Sequence, residues 1–158
     1  MIYMLDSEFI DIPLASELIS LAVVNERMET RYFEFDFDEK LLTPWLEENV
    51  VPQLSGKRTT FYDAAQELSA FIGNPWQAEF WAYYGAYDWY WLCRVFGGMM
   101  SLAEGWPRGY NELAYYTAGI PDVAGPAHHA ENDAVSSMEH FKHLRRKGIV
   151  REGMHHRM

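Results

Sequence analysis

The first nine residues, Met1-Ile2-Tyr3-Met4-Leu5-Asp6-Ser7-Glu8-Phe9, constrain the fold more than any other stretch of the chain. A short apolar run ending in two acids predicts a buried strand whose C-terminal end opens onto a site. Residues i and i+2 of a strand share a face, so Asp6 and Glu8 project side by side. Two carboxylates held that close repel each other and cost stability unless a proton or cation neutralises them. A divalent magnesium or manganese ion, which prefers oxygen ligands, is the natural neutraliser. The same residues also fit the ordinary polar mouth of a strand, and an acid pair at this spacing is common by chance.

Two further fragments carry polar residues at turns. Residues 79–84 read as an aromatic-rich strand, Gly85 permits a turn, and a helix starts at Ala86 with Leu92 and Phe96 four apart. Asp88 falls in the first turn of that helix, where an acid is favoured by the helix dipole alone. It also falls beside the C-terminal end of the preceding strand, where open α/β sheets carry their sites. Near the other end, Gly125-Pro126 marks a loop before His128 and His129. Ala130 to Leu144 then reads as a helix with Ala134, Met138, Phe141 and Leu144 along one side. Asp133 lies in its first turns. Capping and surface polarity account for these residues, and so does a histidine base that deprotonates an attacking water.

Taken in order, Asp6-x-Glu8, then Gly85-Ala86-Tyr87-Asp88 at a strand-to-helix turn, then His128 five residues before Asp133, resemble the DEDD superfamily of 3′–5′ exonucleases. More narrowly the pattern is similar to the DEDDh branch and to its short bacterial and phage exoribonucleases. The resemblance covers roughly residues 1–145. It implies an α/β, ribonuclease H-like fold with a mixed five-stranded sheet flanked by helices. It also implies that Asp6, Glu8, Asp88 and Asp133 are metal ligands and His128 the general base. His129, four residues before Asp133, is a rival for that role. Where the wider superfamily carries Thr-Thr-Gly after the acids, this chain has Phe9-Ile10.

The cofactors so implied are two divalent ions, Mg²⁺ or Mn²⁺, about 4 Å apart across the scissile phosphate. Asp6 would be shared between them, with Glu8 and Asp133 completing the tighter site. The implied product is a nucleoside 5′-monophosphate from the 3′ end of a nucleic acid, RNA favoured. A single-stranded DNA exonuclease shares this chemistry, since no residue marks a contact to the ribose 2′-hydroxyl. An idle RNA- or nucleotide-binding module is the rival from another class, and an acidic interaction protein with chance motifs is a third.

A net charge of −10 runs against a nucleic-acid partner, because phosphate binding calls for basic surface. Two divalent ions would return four positive charges to the site. Moreover, Lys142, Arg145, Arg146, Lys147, Arg151 and Arg157 are six of the 13 basic residues and lie in the last 17 positions. This end either grips phosphates or balances a helix dipole in solvent. Length suits one domain over residues 1–147, with 148–158 a frayed basic tail. The N-terminus lacks a basic leader, no apolar stretch suggests a membrane span, and Cys93 is the sole cysteine, so a cytoplasmic location is expected.

Elsewhere, Glu17 to Asn25 and Thr30 to Asp36 read as strands around a turn at Asn25 to Met28. Glu39 to Val50 reads as a helix with Pro44 near its start, and Asp63 to Ile72 as another, stopped by Gly73-Asn74-Pro75. Residues 98–126 read as loop around a short helix at Asn111 to Tyr116. Aromatics make up 16% of the chain and crowd around Asp88. Most are expected in a core or subunit interface, and a homodimer is compatible with that excess. Phe9, with Tyr87 and Trp89 behind it, is the candidate platform for stacking a terminal base.

Overall fold

The structure, a computed structural model, describes residues 1–13, 15–117 and 127–151. The expected loop at Gly125-Pro126 and residues 152–158 of the expected frayed tail lie outside the described residues, while at the start of that tail Val150 is buried and so is not frayed. The first strand, β1 (Ile2–Ile12), is followed by β2 (Ala15–Asn25) and β3 (Thr30–Phe35), which form an antiparallel meander. Asn25 closes the turn between β2 and β3: its Oδ1 accepts from the backbone N–H of Arg27 and Glu29.

After the meander come α1 (Pro44–Asn49), β4 (Arg58–Thr59) and α2 (Phe61–Ile72). The sequence pattern predicts one helix over Glu39 to Val50, and the chain makes two pieces. A 3₁₀ turn covers Glu39–Leu41, and α1 starts anew at Pro44. Proline excludes helical backbone from the residue before it, so Thr43 is extended and its hydroxyl caps the new helix by accepting from Leu46 N–H.

The remaining elements are β5 (Glu79–Ala82), α3 (Ala86–Val95), β6 (Asn111–Glu112) and α4 (Ala130–Arg146). The segment read as a helix from Asn111 to Tyr116 is instead the strand β6 followed by a 3₁₀ turn at Leu113–Tyr116. The sheet therefore has six strands rather than five, in the order β4-β3-β2-β1-β5-β6, with β5 parallel to β1. The sequence pattern marks only four of these strands, and the two-residue strands at both edges are the ones it misses. They are too short to show a period of two in sequence.

Alternation along β1 sends its residues into two layers. Ile2 and Met4 join Ala22, Val24 and Trp81 against Ala134, Met138, Phe141 and Leu144 of α4. Tyr3 and Leu5 join Leu21, Val23 and Phe80 against α2 and α3. Each large apolar side chain buried in these layers contributes about 1.5–3 kcal/mol, so α4 is held firmly although its opposite side is polar. A third cluster, Ile10, Ile19, Leu46 and Val50, seats α1 farther along β1. Among the described residues no helix is long and apolar enough to cross a membrane.

Candidate functional site

The acids of β1 lie in mid-strand, because pairing with β2 continues past them to Ile12. The opening beside them has another cause. β5 pairs with Ile2 to Leu5 and ends at Ala82, so from Asp6 onward one edge of β1 has lost its strand partner. Tyr84 turns the chain in the left-handed region (φ 55°), and α3 begins at Ala86. Its first turn delivers Asp88 to the vacated edge. Ser7 donates its hydroxyl to Asp88 Oδ1 at 2.6 Å and its backbone N–H to the same carboxylate. Asp88 thus replaces the missing strand.

Ser7 escaped the sequence reading because it lies between two more conspicuous residues. Glu112 escaped as well, being in the stretch read as a helix. Its carboxylate accepts the backbone N–H groups of Tyr84 (2.8 Å), Gly85 (3.0 Å) and Ala114 (2.9 Å), fastening the turn that aims Asp88. That turn admits only glycine at position 85, where a Cβ would lie 2.1 Å from the Ala82 Cβ.

The alternation that puts Ile2 and Met4 under α4 also directs Asp6 and Glu8 to that side of the sheet. There the start of α4 brings Asp133 and the residues before it. Donor atoms of Glu8, His128 and Asp133 all lie within 4.8 Å of one another. Asp133 Oδ2 also accepts the His128 backbone N–H at 2.9 Å, so the helix start folds back on its own carboxylate.

The two histidines part company. His128 is exposed and reaches the acids, while the ring of His129 stacks on Tyr32 at 4.7 Å and its Nδ1 is buried with no hydrogen-bond partner among the described residues.

Electrostatics reflect this crowding. Burial, then Asp88, Glu8 and Asp133, push the Asp6 carboxyl well above its ordinary range. Burial, then Asp133 and Asp88, raise Glu8 to about 8. Burial raises Asp88 to about 7 against the opposing bonds from Ser7, with Glu112 adding to the rise. Asp133 is raised by burial and partly restored by the His128 and His129 N–H groups and rings. A site of this kind holds protons when empty and offers oxygen and imidazole donors to a hard divalent cation.

Two Mycobacterium tuberculosis proteins, from strains CDC 1551 and H37Rv, are each named 3′–5′ exoribonuclease. Each is 33% identical to this chain over an alignment covering 70% of the chain and 70% of the relative. The chain belongs to this family of 3′–5′ exoribonucleases.

Among solved structures, a chain in the yeast NOT1 MIF4G domain co-crystallized with CAF1 has the same fold. Its TM-score is 0.61 at 13% identity, over 94% of this chain and 80% of that one. No family model matches the chain.

The aromatic residues of this exoribonuclease family member divide by exposure. Phe9 stacks on Tyr87 with centroids 4.5 Å apart, and the half-exposed Tyr87 donates its hydroxyl to Asp11 Oδ2 at 2.8 Å. Trp89, expected in the same platform, is 9% exposed and packs between Phe80 and Tyr110. Its helix turns it inward, one position beyond Asp88. In the basic C-terminal stretch, Arg145 pairs with Glu26 at 3.2 Å and lies over the Phe141 ring, so it braces α4. Arg157 lies outside the described residues.

Proposed function

We propose that this chain is a metal-dependent 3′–5′ exoribonuclease of the DEDDh type with a ribonuclease H-like fold, releasing nucleoside 5′-monophosphates. The observation that carries the reading is the convergence of Asp6, Glu8, Asp88 and Asp133 with His128 where β5 stops. The six-stranded mixed sheet and the shared fold with the yeast complex support it, as does the family. One domain over residues 1–147, a homodimer and a cytoplasmic location belong to the same reading.

The donor set fits Mg²⁺ or Mn²⁺: Glu8, Asp133 and His128 present clustered donor atoms, and Asp6 and Asp88 add oxygens beside them. Two ions held by Asp6, Glu8, Asp88 and Asp133 would neutralise the carboxylates and stabilise charge on the scissile phosphate. The protein's own groups do the rest. His128, exposed at the mouth, accepts the proton of the attacking water, and the acids beside it stabilise the imidazolium that forms. Ser7 and Glu112 fix Asp88 in place without contacting substrate. Phe9 and Tyr87 offer an apolar surface to the terminal base, which suits cleavage indifferent to sequence.

The test is a degradation assay on 5′-labelled RNA and DNA oligomers, single-stranded or with a 3′ overhang, in Mg²⁺, Mn²⁺ or EDTA. The expected result is a metal-dependent ladder shortening from the 3′ end, stronger on RNA and lost in Asp6→Asn. No ladder on any substrate from a folded protein overturns the proposal.

A further inference from the structure

His128 adopts φ 64°, in the left-handed region that a side chain with a Cβ rarely occupies. Such a conformation persists only where its surroundings over-determine it. Here both backbone polar groups of the residue are held. Its N–H goes to Asp133 Oδ2, and its C=O accepts from Gln53 Nε2 at 3.2 Å. The two hydrogens of the same Gln53 amide also reach the carbonyls of Ala127 at 2.8 Å and Asn49 at 2.6 Å, so the longer bond to His128 shares a hydrogen, and the amide joins the end of α1 to the histidine loop. The reverse amide orientation is excluded, since it would set an oxygen against three carbonyl oxygens. The imidazole itself meets Trp45 of α1 edge to face, with centroids 4.7 Å apart. Trp45 is 49% exposed, an unusual cost for a tryptophan whose only role is to fill a core.

We propose that Gln53 and Trp45 are positioning residues for the reaction: Gln53 fixes the backbone of His128, and Trp45 fixes its ring toward Glu8 and Asp133. This rests on the assignment of His128 as the base. Neither residue needs to touch substrate. α1 supplies the rigid element: Leu46 and Val50 anchor it on Ile10 and Ile19 of the sheet, so the brace and the acids share one frame. Misplacing a proton acceptor by about 1 Å costs on the order of 100-fold, which sets the scale of the expected effect.

The experiment compares Gln53→Ala, Trp45→Ala, His128→Ala and the doubles Gln53→Ala/His128→Ala and Trp45→Ala/His128→Ala in the RNA assay. Each single positioning variant is expected to lower kcat about 10- to 100-fold with KM little changed. Neither should cost anything further once His128 is gone. Losses that multiply in the doubles would overturn the inference. Full activity in His128→Ala would instead overturn the base assignment, and a second measurement covers that case and any loss of fold. In NMR of protein carrying ¹³C-labelled histidine, the His128 ring resonance should be displaced by the Trp45 ring current. It should move to the position of a freely rotating imidazole in Gln53→Ala, with Gln53→Glu as a second variant, while the His129 resonance stays. A His128 resonance unmoved in both variants overturns the positioning role whatever the base is.

Discussion

Ser7 holds Asp88 across 81 positions of sequence, with a hydroxyl-to-carboxylate distance of 2.6 Å at a buried site. The bond joins the strand carrying Asp6 and Glu8 to the helix carrying the third acid, and it favours the ionised form of Asp88 against burial. Ser7→Ala removes that donor and leaves a buried carboxylate underbonded. The expected cost is about 1–3 kcal/mol of stability. If Asp88 is a metal ligand as proposed, Mn²⁺ affinity should also fall roughly 10- to 100-fold, as for other groups that orient a ligand. Thermal melts and calorimetric Mn²⁺ titration check both, and unchanged affinity would show that Asp88 does not take part in metal binding.

The raised carboxyls give the metal-free protein a stability that depends on pH with a defined sign. Glu8 moves from 4.5 to about 8 and Asp88 from 3.8 to about 7, so between these limits the folded state binds more protons than the unfolded one. The stabilisation is full below the ordinary carboxyl range and is lost as pH rises through about 7 to 8. Denaturant melts in EDTA should therefore show stability falling from pH 5 to pH 8 by on the order of a few kcal/mol. If the acids bind Mn²⁺ as proposed, saturating Mn²⁺ should reverse the trend, because binding would expel the protons. A slope that is unchanged in Glu8→Gln would mean that other groups set it.

These effects trace to residues of unequal legibility. Local spacing made Asp6, Glu8, Asp88, His128 and Asp133 candidates, and only the order shared with the DEDDh exonucleases joined them into one expected site. β1, β2, β3, β5 and the helices α2, α3 and α4 could be read from their apolar period, and α4 shows its buried face directly in Ala134, Met138, Phe141 and Leu144. What could not be read is whatever depends on two distant segments meeting. The opening beside Asp6 comes from the end of β5, not from the end of β1. Glu112 and Gln53 act through bonds to backbone groups 27 and 75 positions away, for which sequence carries no period. Trp89 and Tyr87 look alike in an aromatic run, and only the turn of α3 decides which one faces inward.

That division predicts opposite phenotypes for neighbours in sequence. Trp89→Ala empties a site between Phe80 and Tyr110 and should cost about 3–5 kcal/mol, lowering activity through loss of folded protein. Tyr87→Ala removes a half-exposed ring and should leave the melting temperature nearly unchanged. If the Phe9–Tyr87 pair receives the terminal base, its KM should rise by the equivalent of about 1–3 kcal/mol while kcat holds. Melting curves and Michaelis kinetics on a short RNA separate the two effects. Equal KM in Tyr87→Ala and wild type would remove the pair from the substrate path.

The sharpest contrast lies between adjacent histidines. His128 shares a cluster with Glu8 and Asp133, whereas His129 is turned onto Tyr32. If His128 accepts the water proton, His128→Ala should lower kcat by about 10²–10⁴-fold while Mn²⁺-dependent stabilisation largely persists, since the carboxylates remain. His129→Ala loses one aromatic contact, so about 0.5–1.5 kcal/mol of stability should go while kcat stays within roughly threefold. The order of the two kcat losses checks the assignment directly. Should His129→Ala be the inactive variant, the proton would leave through the Tyr32 side of the helix, and the start of α4 would have to rearrange to let it.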